Sequence, residues 1–209
     1  MGETLKLYGE HWRAVLAIGL PAALLSSVTT TFSRTETLAV VPLAGALAVT
    51  ASFVIASSVV TRTPLRSREA RTAFLVGIVL YLPFPFLVVL FVLPGLAWFA
   101  LIGLAVPATL AEGLGFRRAF RRGVELGRAD FAHALGGLAT LTILVFVTQI
   151  AASQVLQSFA DNSERLAAFL AGLVLSPVIF LGAALLYVDQ AARADLPAAG
   201  RAARPDAAK

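Results

Sequence analysis

Few side chains in this sequence can do chemistry, and the densest group of them is basic. Arg117, Arg118, Arg121, Arg122 and Arg128 fall in the stretch EGLGFRRAFRRGVELGRADF, directly after forty residues without one charge. Guanidinium groups at this density bind phosphate through fixed positive charge and paired N–H donors. That phosphate could belong to nucleic acid or to a lipid headgroup. No nucleic-acid-binding motif lies beside the cluster, so a nucleic-acid partner is not expected. Spacing favours the lipid. Phe116, Phe120, Val124, Gly127 and Phe131 recur at intervals of 4, 4, 3 and 4, which gathers them on one helical face and leaves the arginines and Glu125 on the other. A helix over 114–130 with this pattern lies in a membrane interface, aromatics toward the acyl chains and arginines toward anionic headgroups. Arg117/Arg121 and Arg118/Arg122 repel as i, i+4 pairs, which a bound anion would relieve.

The remaining inventory argues against catalysis. His11 and His133 lack carboxylate or histidine partners at ligand spacing, so no metal site is expected. The chain has no cysteine, which removes disulfides, thiolate ligands and cysteine nucleophiles. No serine stands in a Gly-x-Ser-x-Gly turn, and no Gly-rich phosphate loop occurs. The sequence therefore predicts no catalytic residue, no cofactor and no enzyme. Inside the apolar runs the polar groups are hydroxyls and amides, with no ionisable side chain near a midplane, where ion- and proton-coupled carriers place one.

The elements that position these residues follow from composition. Of 209 residues, 58% are hydrophobic and 14% charged, and the mean hydropathy is +0.84; a soluble domain is about a quarter charged. Charge-free runs cover Ala14–Ser33, Thr37–Thr61, Thr72–Ala111, Phe131–Ala160 and Leu166–Val188. A bilayer core of roughly 30 Å takes about 20 helical residues to cross. The forty-residue run would be about 60 Å long as one helix, twice what a membrane accommodates, so it must fold back. Leu93-Pro94-Gly95 is the expected break, with Trp98 just beyond at a water interface. The predicted fold is all-α: a polytopic membrane helix bundle with spans near 14–33, 38–60, 72–92, 96–111, 133–155 and 166–188. The third and fourth spans have a re-entrant hairpin as their alternative, given Pro83, Pro85 and Pro107. Residues 1–190 form one domain; the Ala/Pro/Arg-rich tail 191–209 is expected to be disordered. A second interfacial face, Leu5, Tyr8 and Trp12, precedes the first span.

Charge asymmetry orients the bundle. With six spans, fifteen Lys and Arg fall on the side of the N-terminus and two, Arg34 and Arg165, on the other. By the positive-inside rule both termini are cytoplasmic. Small residues mark the expected packing faces, since lipid removes the hydrophobic drive between helices: Ala44, Ala48, Ser52 and Ala56; Gly136 and Thr140; Gly172 and Ser176. Tyr81, beside Pro83 and Pro85, is the polar aromatic expected to line an apolar cavity.

Two stretches resemble a known family. LPGLAWFALIGLAVPATLAEGLGFRRAFRRGVELGRADF and LLYVDQAAR are similar to a bacterial membrane family labelled glycerophosphoryl diester phosphodiesterase membrane domain, or left uncharacterised. The matching positions are Pro94, Gly95, Pro107, Glu112, Phe131, Tyr187 and Asp189. That family usually carries Ser where Gly123 stands and Gly where Ala129 stands, and the likeness covers about half the chain. The phosphodiesterase chemistry belongs to a separate soluble barrel with no trace here, so the resemblance implies a membrane module of a bacterial plasma membrane. The leading expectation is a non-catalytic accessory or scaffold subunit that touches anionic lipid and assembles with a membrane-protein partner or with itself. The alternative is a carrier for a lipidic or uncharged substrate.

Overall fold

Backbone N–H and C=O groups surrounded by apolar side chains must find their partners within the segment, and a helix does this for every residue but those at its ends. The computed structural model, which describes residues 12–29, 34–157 and 164–202, is accordingly built of helices, with no strand among the described residues. They are α1 Trp12–Thr29, α2 Arg34–Thr61, α3 Ser67–Tyr81, α4 Phe84–Leu90, α5 Val92–Ile102, α6 Ala105–Glu112, α7 Phe116–Ala129, α8 Phe131–Gln157 and α9 Glu164–Ala202. Among the described residues five segments are long and apolar enough to span a membrane: Pro42–Thr61, Ser67–Leu87, Val92–Glu112, Phe131–Thr148 and Gly172–Ala194. The first expected span is represented by a shorter apolar stretch, Ala14–Leu25. Leu5, Tyr8 and His11, together with the end of the tail at 203–209, lie outside the described residues.

The forty-residue run folds back, but not where the Pro-Gly pair suggested. The reversal falls at Phe91, which is extended at φ −162° and ψ 143°, and α5 starts at Val92. Pro94 then sits in the first turn of α5 and Gly95 is helical and buried. The reason is that a proline lacks only an N–H that the first turn leaves unpaired anyway, so proline opens helices as readily as it ends them. The same placement recurs: Pro85 lies in the first turn of α4 and Pro107 in the first turn of α6. Each limb, Ser67–Leu87 and Val92–Glu112, is 21 residues long, about 31 Å at 1.5 Å per residue.

Trp98 is also placed differently from expectation. Instead of reaching a water interface, its indole N–H donates to the Leu80 carbonyl at 3.0 Å. Leu80 lies in the last turn of α3, where carbonyls have no helical partner. A donor from the neighbouring limb therefore satisfies what the Leu82–Pro83 break leaves open.

Helix α2 is central: α1 and α9 flank one side and α3 and α6 the other. Its middle is buried at Thr50, Ser52, Phe53, Val54, Ala56 and Ser57. Helix α9 extends beyond the expected end of its span. Ala191 and Ala194 pack against a small core of Leu104, Ala108, Leu126 and Tyr187, so the segment from 191 begins as packed helix and not as the start of a disordered tail. Alanine and arginine are strong helix formers, and extending an existing helix needs no new nucleus.

Close approach depends on missing side chains. A Cβ on Gly77 would lie 2.5 Å from the Thr50 methyl, and one on Gly127 would lie 2.5 Å from the Leu101 carbonyl oxygen and 2.6 Å from that of Ala100. On Gly136 a Cβ meets nothing within 4 Å. Replacing Gly127 by Ala is expected to destabilise the bundle by about 1–3 kcal/mol, the usual effect of overpacking. Gly136→Ala should leave it unchanged or slightly firmer. Thermal unfolding of both variants in the same detergent checks the contrast.

Candidate functional site

Two places in the molecule gather groups that could act, one polar and one apolar. The polar one is the arginine-rich end, and its geometry starts with a turn. Gly113 takes the left-handed conformation, φ 63° and ψ 30°, and stops α6 at Glu112; a residue with a Cβ is strained there. The chain then starts α7 after Gly115, folded against α5 and α6. The face that α7 buries is Ala119, Gly123, Leu126 and Gly127, rotated by about 75° from the Phe116–Phe120–Val124 stripe at 100° per residue. Only Gly127 belongs to both. Gly123 allows the contact, because a Cβ there would lie 2.8 Å from the Ala105 nitrogen. Phe116 and Phe120, edge to face at 5.1 Å, flank the buried stripe and are not its centre. Small residues win the inward position because they let two backbones meet.

This rotation separates the five arginines. Arg117, Arg118, Arg121 and Arg128 are exposed. Arg122 turns back onto the bundle, and its Nε donates to Glu112 Oε1 at 3.0 Å. The Tyr187 hydroxyl donates to the same oxygen at 2.9 Å. One carboxylate thus ties α6, α7 and α9 together. On α9 Gln190 is fully buried, with neither amide atom hydrogen-bonded among the described residues.

A second group links α8 to α9. Asp130 caps α8 by accepting the His133 N–H at 3.3 Å. Arg193 reaches Asp189 at 2.9 Å and Asp130 at 3.3 Å, while His133 Nε2 lies 3.4 Å from Asp189. Spacing along the chain gave His133 no carboxylate; tertiary folding supplies one from α9. The guanidinium of Arg193 occupies the middle of this group, and among the described residues no set of three ligating side chains could hold a metal ion.

The apolar place is a cavity of about 300 Å³ enclosed by α2, α3, α4, α5, α8 and α9. Tyr81 lines it; Pro83 and Pro85 do not, and instead turn the chain so that Phe84 does. Tyr81, Phe84, Phe99 and Phe180 form one wall, and Phe53 packs against it, with Tyr81 5.7 Å from Phe99 and 6.0 Å from Phe53, ring centre to ring centre. Offset and edge-to-face rings at this range attract beyond their simple burial. Thr142 is the other polar residue of the lining. Sequence reading did not single out Phe99, Phe180 or Thr142, since each comes from a different helix and shares no spacing with Tyr81.

Of the expected packing residues, Ser52 and Ala56 are fully buried and Ala44 and Ala48 half-buried. Gly172 and Ser176 are half-buried, and the Ser176 hydroxyl returns to the Gly172 carbonyl. Gly136 and Thr140 face outward and touch no other helix face; the inward face of α8 carries Ala134, Leu138 and Val145 instead. The residues behind the family resemblance separate into two groups. Glu112, Tyr187 and Asp189 meet at the arginine-rich end, with Phe131 opening α8 nearby. Pro94, Gly95 and Pro107 serve as helix openers and core. No protein-family model matches the chain, and neither a curated protein nor a solved structure does.

The Glu112–Arg122 pair is open to measurement. Its side chains are 30% and 28% exposed, so solvent screens it, and a double-mutant cycle of Glu112→Gln with Arg122→Gln should show a coupling of about 1 kcal/mol or less. Tyr187→Phe should couple to Glu112→Gln with the same sign, because both variants remove one oxygen's partners. Chemical unfolding in detergent checks both values.

Proposed function

We propose that this chain is a non-catalytic integral membrane module, an accessory or scaffold subunit that assembles with a partner or with itself. In this reading it crosses a bacterial plasma membrane six times, α1 being the first span and the two limbs before and after Phe91 the third and fourth, with both termini in the cytoplasm. The observation that carries it is the closed arginine-rich end. Buried Leu104, Ala105, Val106, Ala108, Thr109 and Leu110 fill the space between the helices there, and the Glu112 and Asp189 groups join α6, α7, α8 and α9 across it. Such an end suits a fixed platform. The four outward arginines, Arg117, Arg118, Arg121 and Arg128, suit contact with anionic headgroups, each contributing about 1 kcal/mol near a charged surface.

A second reading, a carrier or binder of a lipidic or uncharged substrate, is favoured by one observation, the apolar cavity beside Tyr81.

Two measurements test the leading reading. Mass spectrometry of the full chain extracted in mild detergent should find a stoichiometric protein partner or a defined oligomer; a lone monomer with no partner would sink the scaffold role. Single cysteines in this cysteine-free sequence test the orientation. Gly95 is buried and unsuitable. Cysteines at Ser33 and Asn162 should react with an impermeant reagent from outside intact cells, and one at Arg66 should not. Ser33 and Asn162 lie outside the described residues, and outward reactivity at Arg66 reverses the orientation.

A further inference from the structure

Several hydroxyl groups inside these helices follow a habit, though Thr50, Ser52 and Ser57, fully buried on α2, make no hydrogen bond among the described residues. Thr61, Thr72, Thr109, Thr140 and Thr148 each donate to the carbonyl four residues back, at 2.7 to 3.0 Å. This is the local way for a threonine to satisfy itself in apolar surroundings. Thr142 departs from it: among the described residues its hydroxyl makes no hydrogen bond, although it stands on the same helix as Thr140 and Thr148. Tyr81 is alike. It is 5% exposed, three aromatic rings surround it, and its hydroxyl has no hydrogen-bond partner among the described residues. Both residues line the same 300 Å³ cavity. Tyr81 is buried and Thr142 half-buried, and a hydroxyl left without a partner in apolar surroundings is unfavourable, so two on one apolar cavity can be met by one further polar group.

We infer that the cavity binds an uncharged single-chain lipid, an apolar chain bearing one hydrogen-bonding oxygen such as an alcohol or ester, whose oxygen meets Tyr81 and Thr142. Three features narrow the occupant to this chemistry. The lining contains no ionisable group besides the Tyr81 phenol, so nothing there would compensate a phosphate or carboxylate. The remaining walls, Val49, Leu96, Leu138 and Ile179 among them, are aliphatic or aromatic and take a hydrocarbon chain. The mouth faces the bilayer: Val92 lines the cavity and is itself 54% exposed, between Phe91 at 71% and Leu93 at 68%. Side chains this apolar at a turn between two spanning limbs belong in acyl chains, so the cavity fills from the membrane. Its volume stands at the lower limit of about 300 Å³ for ligand sites, which favours one chain over two. The inference deepens the second reading above and rests on it, but requires binding only and not passage across the membrane.

The full chain in liposomes, irradiated with hexadecanol carrying a terminal diazirine, tests it. Crosslinks are expected on the cavity segments 78–99 and 138–142, and palmitate with the same diazirine should label them about tenfold less. Tyr81→Phe and Thr142→Val, which remove only the hydroxyls, should each weaken labelling about fivefold. Thr140→Val, on the outward face, should not change it. Leu138→Trp, which fills the cavity, should abolish it in protein that still elutes as a folded species. Labelling confined to the lipid-facing Ile143 and Phe146, or undiminished by both hydroxyl deletions, overturns the proposal. Binding without flux of the alcohol across the liposome leaves it standing and sinks carriage alone.

Discussion

Every backbone hydrogen-bonding group in this chain must be satisfied by the chain itself, because its surroundings offer almost nothing else. The helices are the general solution, and the exceptions are where the structure becomes specific. Proline at 85, 94 and 107 removes donors only in first turns, where helices have donors to spare. The carbonyl that the α3–α4 break exposes at Leu80 receives the Trp98 indole. The same constraint bears on the hydroxyls of Tyr81 and Thr142, which have no partner among the described residues, and on those of Thr50, Ser52 and Ser57 in the middle of α2.

Packing follows from a second restriction. Dispersion between close backbones replaces the hydrophobic drive that water would supply. Glycines at the crossings of α2 with α3 and of α7 with α5 and α6 leave room for that contact. The amphipathic helix α7 shows how such contacts redirect a sequence pattern. Its aromatic stripe looks like the inward face, but the small-residue stripe beside it makes the closer fit and takes that position. The turn that results carries Arg122 off the basic surface and onto Glu112, where Tyr187 also arrives.

The molecule therefore divides by chemistry along its length. At one end, ion pairs and capped helix termini hold α6, α7, α8 and α9 in register. Toward the other, aromatic rings from four helices line a space that side chains do not fill. A rigid base with an apolar cavity above it serves a scaffold that holds a lipid as well as it serves a lipid binder, and the two readings are compatible in one protein.

The sequence alone determined what depends on local composition: an all-helical chain, apolar segments long enough to span a bilayer, the need for a reversal within residues 72–111 and the basic helix at 114–130. These are properties of a segment's own residues and of the solvent they require. It misplaced the reversal at Pro94, since the same residue can end a helix or open one, and only the neighbouring turn decides. It put all five arginines on one surface, since periodicity defines faces but not which of two adjacent faces is pressed inward. The meeting of Glu112 with Tyr187 and of His133 with Asp189, the outward turn of Gly136 and Thr140, and the pairing of Tyr81 with Thr142 around one cavity came only from tertiary structure. Each joins residues from helices far apart in the chain, and no spacing along a single helix encodes which distant helix will lie beside it.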